Sequence, residues 1–170
     1  MTPTEPGWRT TQANFVQTWQ RVMTDPHGFF AEMPQAGGLN DPAVFLLITS
    51  GLNAVGHLIF GWGFGGMLAV FVFHVVLAGV AAALFTVIAQ QLFEGRAGFE
   101  PTFRVVAYAT APLVFSWVPV VEVVARLYAA YLAMRGIERV QSVDTTRAVL
   151  IVVLGAVAIW LLVLSVVGRP

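Results

Sequence analysis

Four ionisable side chains stand inside long apolar runs of this chain: His57, His74, Glu122 and Arg126. A charged or titratable group in hydrocarbon is costly, so such residues pair, turn inward, or mark a path for protons, ions or substrate. Glu122 and Arg126 are spaced i, i+4, which lets a carboxylate and a guanidinium meet on one helix face. The plainest reading is a structural ion pair near the membrane surface. A relay, or a contact with a partner subunit or lipid headgroup, is the functional alternative. His57 and His74 offer imidazoles of the kind that hold haem or a metal. The simpler reading is two neutral histidines hydrogen-bonded to helix groups such as Asn53. On that reading no cofactor and no metal site are expected.

Other chemistries lack their parts. The chain has no cysteine, which removes disulfides, thiolate catalysis and thiolate metal sites. Ser116 and Ser142 have no base nearby in sequence, and no H-E-x-x-H motif or phosphate loop is present. The Gly61 to Gly66 stretch is glycine-rich but uncharged. His27 reads as a surface residue of the N-terminal segment. The net charge of +0 gives no nucleic-acid footprint. A catalytic role is therefore not expected, and no catalytic residue is assigned.

The elements that must position these residues are membrane helices. Of the 170 residues, 58% are hydrophobic and 11% charged, and the mean hydropathy is +0.78. Soluble domains carry about 25% charged residues, so a water-soluble fold could not cover its surface with this composition. From position 42 to position 93 no residue is formally charged, and a single crossing needs about 20 residues, so this run must be two helices and a turn. The glycines from Gly61 to Gly66 supply the turn, with Trp62 as an interface aromatic. Positions 105 to 134 form one apolar stretch broken by Pro112 and Pro119, which predicts a hairpin turning near 117–120. A polar loop from 135 to 147 follows, and Asp144 caps the last span.

The chain is thus predicted to be all-α, a polytopic transmembrane helical bundle. Residues 1–41 form a cytoplasmic or interfacial segment and 42–168 the transmembrane domain, with spans at about 42–60, 66–92, 103–118, 120–134 and 148–167. Residues 11–23 read as an amphipathic helix, since Phe15, Val16, Trp19, Val22 and Met23 share one face. Phe15, Trp19, Val22, Phe29 and Phe30 suit a face on the membrane interface, with packing on the protein's own loops as the other reading. Asp25-Pro26 and Asp41-Pro42 are paired helix-start signals.

Arginine placement chooses five spans over four. With the N-terminus inside, Arg9, Arg21, Arg96, Arg104, Arg135, Arg139 and Arg147 fall on the inner side and only Arg169 outside. This N-in/C-out layout obeys the positive-inside rule, whereas four spans would move three arginines outward. It also puts His57 about 21 Å above the inner end of its span and His74 about 12 Å below the outer end of the next. With Glu122 and Arg126 in the first turns of the fourth span, all four residues form an intramembrane polar cluster in the outer leaflet.

Several short segments together resemble the bacterial branch of the Yip family, the Ypt-interacting, five-span membrane proteins. D-P-H-G-F-F-A-E-M-P-Q-A-G-G, from Asp25 to Gly38, is similar to that family's pre-membrane segment. F-R-V-V-A-Y-A-T-A-P, from Phe103 to Pro112, looks like the start of its third span. The pattern around Pro119, Leu127-Tyr128 to Tyr131-Leu132, Gly136-Ile137 and Thr146-Arg147-Ala148 resembles its fourth span, polar loop and fifth-span start. The D-L-Y-G-P-type signature and long N-terminal region of eukaryotic relatives are missing, so binding of Rab-type GTPases is not carried over. The resemblance implies a multi-pass protein of a bacterial cytoplasmic (inner) membrane, acting without catalysis as a scaffold, membrane-organising factor or accessory subunit. Its expected partners are the lipid bilayer and a membrane protein or a second copy of the chain. Gly51, Gly56, Gly79, Ala82 and Ala83 would permit close helix contact. A small transporter or channel using the outer-leaflet cluster is the alternative function.

Overall fold

The computed structural model describes residues 14–167, with side chains described to residue 165. Positions 11–13 of the expected amphipathic helix lie outside the described residues. Within them the chain is helical: α1 Phe15–Thr24, α2 Pro26–Glu32, α3 Asn40–His57, α4 Gly63–Leu92, α5 Phe99–Ala109, α6 Pro119–Gln141 and α7 Thr145–Val167. A π-helical turn, Leu58–Trp62, links α3 to α4, and a 3₁₀ turn, Ala111–Phe115, follows α5.

The local signals explain most starts and stops. Asp25 accepts a hydrogen bond from the Gly28 backbone N–H at 3.0 Å, with Pro26 opening α2. Asp144 does the same for the Arg147 N–H at 3.0 Å and caps α7. Asp41, expected as a cap, instead lies in the first turn of α3, where a carboxylate still favours the positive helix end. The α3–α4 turn passes through Gly61 at φ 88° and Gly63 at φ 68°, backbone values that a residue with a Cβ adopts only at a cost.

Two stretches are long and apolar enough to cross a membrane, Asn40–Leu92 and Thr145–Ser165, and each buries only 22% of its most apolar window within the protein. Their remaining apolar surface faces outward. The first stretch is the α3–α4 hairpin, so it supplies two apolar helices. At 1.5 Å per residue the 30-residue α4 is about 45 Å long, longer than a hydrocarbon core of about 30 Å.

Side-chain contacts fix the directions of the helices. Phe45, Thr49 and Asn53 of α3 meet Tyr108, Thr110 and Leu113 in turn, so α3 and the α5 segment run parallel. Gln141 of α6 meets Thr102, and Gly136 meets Val105, so α6 runs opposite to α5. Phe85 of α4 lies against Gly155 of α7.

Helix α5 is the interior rod of this bundle. Residues 102–112 are all buried, and α3, α4 and α6 pack around them. Its 11 α-helical residues and the five-residue 3₁₀ turn reach about 26 Å together. The expected hairpin turn near 117–120 is present, with α6 opening at Pro119.

Two expectations need correction. The segment from 135 to 147 is not a loop over most of its length, because α6 runs to Gln141 and ends at Ser142 with φ 54°. Arg135, Glu138 and Arg139 occupy the outer side of a helix whose other face stays in the core: Ile137 is 0% and Val140 3% exposed. The aromatic N-terminal face is the second. Val22, Phe29 and Phe30 are buried in protein, Phe15 packs on Phe45 and Trp19 on Phe115. The apolar stripe is the seam joining α1 and α2 to the bundle, so these residues do not form a free membrane-facing surface.

Candidate functional site

The four residues of the expected outer-leaflet cluster stand on three helices, His57 on α3, His74 on α4 and Glu122 with Arg126 on α6. Arg126 donates from both Nε and Nη2 to Oε1 of Glu122, at 3.0 and 2.7 Å, and this pair stands on the exposed side of α6. His57 ends α3 and packs edge-on to Trp62, with ring centroids 4.9 Å apart. His74 lies eleven residues after the start of α4, half-buried beside Phe73. Arg126 and His57 are within electrostatic reach of His74. No hydrogen bond joins His57, His74 and the ion pair among the described residues. No group of three or more His, Asp or Glu that could hold a metal ion occurs among those residues either.

The polar centre of the bundle is built from neutral side chains. Thr49 on α3 and Thr110 at the end of α5 share a hydroxyl–hydroxyl hydrogen bond of 2.8 Å. One turn further along α3, the Asn53 side chain donates from Nδ2 to the Leu113 carbonyl at 2.7 Å and to Ser116 Oγ at 2.6 Å. These bonds hold the 3₁₀ turn against α3, where a free carbonyl in an apolar medium would be costly. Asn53 is therefore committed to the turn and does not serve the histidines as expected; its Oδ1 is buried without a partner. Beside this centre lies an apolar cavity of about 210 Å³ between α4, α5, α6 and α7, lined by alanines together with His74, Thr110 and Leu113.

The other organised region is the seam along which α1 packs on the 3₁₀ turn and α5, and α2 on the C-terminal half of α6. Trp19 Nε1 donates to the Ala111 carbonyl at 2.9 Å, and the Tyr128 hydroxyl donates to the Met23 carbonyl at 2.8 Å. Phe29 packs edge-on to Tyr108, with centroids 5.0 Å apart. Phe30 fits where Gly136 leaves room; a Cβ there would sit 2.4 Å from a Val105 methyl carbon. Arg104 of α5 is 1% exposed and donates to the Gly38 carbonyl and to Glu100, while Glu100 accepts from the Gly38 N–H at 2.8 Å. That clamp fastens the α2–α3 connection to the start of α5.

The sequence shows neither the clamp nor the pairing of Thr49 with Thr110, and it offers Asn53 as a partner of the histidines. Arg104 reads as part of the inner charge and of the Phe103 to Pro112 segment, and Thr49 and Thr110 are uncharged residues in apolar runs. Their signal was polarity without charge at helix-compatible spacing, and it needs the partner helix to be read. Between α2 and α6 a groove of about 360 Å³ opens, lined by His27, Phe30, Ala31, Arg135, Glu138, Arg139 and Ser142.

A helical bundle with a hydrogen-bonded interior and outward apolar faces on α3, α4 and α7 has the architecture of a multi-pass membrane protein. Residues 21–167 match the Yip1 domain, and the chain belongs to that family. Members are generally non-enzymatic membrane-trafficking proteins. Searches of curated proteins and of solved structures find no match.

Proposed function

We propose that this chain is a non-catalytic organising or accessory component of a membrane assembly, which it serves by presenting a fixed surface at the inner membrane face. The observation that carries this reading is the docking of α1 and α2. Trp19, Val22, Phe29 and Phe30 join the pre-membrane segment to the helices, with Tyr128 and Arg104 holding backbone carbonyls on it. A segment held this way is a rigid platform, and rigid surfaces lose little freedom when a partner binds. We further propose five crossings, with residues 1–41 and the C-terminal half of α6 on the cytoplasmic side of a bacterial inner membrane. The alternating helix directions and the seven-to-one arginine distribution support that layout.

The test is chemical cross-linking in native membranes followed by purification in a mild detergent. The expected result is a reproducible larger complex, cross-linked through α1, α2 or the C-terminal half of α6. Solute flux in proteoliposomes that requires Glu122, with no partner recovered, would overturn the proposal in favour of transport.

A further inference from the structure

We infer that the groove between α2 and α6 binds the phosphate headgroup of an anionic phospholipid. Two guanidinium groups, Arg135 and Arg139, and the His27 imidazole line it against a single carboxylate, Glu138. That carboxylate is already engaged: it accepts from Arg135 Nη1 at 3.0 Å and from the Thr145 hydroxyl at 2.7 Å. Arg139 has no carboxylate partner among the described residues and makes one long bond, 3.4 Å, to the Ala31 carbonyl. The groove therefore holds a net positive charge with unused donors on Arg139 and a hydroxyl on Ser142. Two guanidinium charges less the Glu138 carboxylate leave one net positive charge, which exceeds the charge of about half an elementary unit at the negative end of the α6 dipole.

Position favours a lipid over a free anion. The outward apolar residues of α6 run from Val120 to Tyr131 and stop there. Arg135 and Arg139 follow one and two turns later, at the depth where hydrocarbon gives way to headgroups. An acyl chain lying along Leu127 and Tyr131 would bring its phosphodiester to Arg135, Arg139 and Ser142. Basic pockets between helices at a membrane surface are a recurrent form of headgroup recognition. The volume of about 360 Å³ accommodates a headgroup and its water.

The test is lipid retention by the full chain in mild detergent, read by native mass spectrometry with phosphatidylglycerol and phosphatidylcholine as probes. Phosphatidylglycerol should be retained in preference, and Arg139→Gln should weaken its retention about fivefold, the effect of one interfacial cation. His27→Gln, a second substitution on the opposite wall, should weaken it in the same direction if Arg139→Gln fails to fold. Arg126→Gln, in the other charged patch of α6, should leave retention unchanged. Equal retention of the two lipids, equal effects of Arg139→Gln and Arg126→Gln, or complete displacement by millimolar inorganic phosphate would each overturn the inference. Retention in detergent does not depend on sidedness, so this result is independent of the proposed topology.

Discussion

The two ends of the helical bundle are built on opposite plans. At the end that carries α1 and α2, side chains meet protein: Val22, Phe45, Val105 and Ile137 are each 0% exposed. At the α3–α4 turn and the start of α6, they face outward: Ile59 is 73% and Val120 81% exposed. The first end is held by its own packing and by hydrogen bonds to backbone carbonyls. The second depends on the bilayer as its packing partner. Ionisable residues in apolar runs drew attention to the second end, yet the interlocked polar and aromatic contacts are concentrated in the first and in the bundle centre.

Substitutions matched across the two ends test this contrast. Phe30→Ala should be the most damaging, lowering stability by about 3–5 kcal/mol through the cavity it leaves against Val105 and Gly136. SDS-titration unfolding measures it, and Val120→Ala should change the same curve by less than about 0.5 kcal/mol. If the two cost the same, the contrast between the ends is wrong. Asn53→Leu comes next, at about 1–3 kcal/mol, because the Leu113 carbonyl and Ser116 hydroxyl lose their donor in an apolar interior. Added protease sensitivity near residues 113–118 would locate that loss in the 3₁₀ turn. Glu122→Gln and Arg126→Leu should be smallest, each below about 0.5 kcal/mol, for an i, i+4 pair held in the wet interface at the start of α6. A loss of assembly from either change would restore a functional role to the pair.

The elements themselves were largely readable from the sequence. A charge-free run longer than one crossing demanded a hairpin, glycines placed its turn, and Pro119 marked the start of α6. Two features were not readable, for one physical reason. Whether the Phe15, Trp19 and Phe30 side of the N-terminal segment meets lipid or protein depends on the neighbour, because both reward the same apolar stripe. Likewise the charges of Arg135, Glu138 and Arg139 mark a wet surface, and a helix face and a loop are equally wet. The i, i+4 pairing of Glu122 with Arg126 was legible because both partners lie on one helix. The Thr49–Thr110 contact joins residues on different helices and was not.

The enclosure of α5 bears on how the chain is made. This helix carries Thr102 and Arg104 and ends at Thr110, and polar side chains such as these weaken the insertion of a lone helix. It is also short, so it is the segment least able to hold a place in a bilayer alone. Its hydrogen-bond partners arrive from both directions in the sequence: Gly38 and Thr49 precede it, whereas Gln141 follows. The last of them emerges from the ribosome only when α6 is complete. For α3, α4 and α7, entry into the membrane can precede assembly. For α5 the two are one event, and a ribosome-bound chain that ends before Gln141 should leave it accessible to water-soluble labelling reagents.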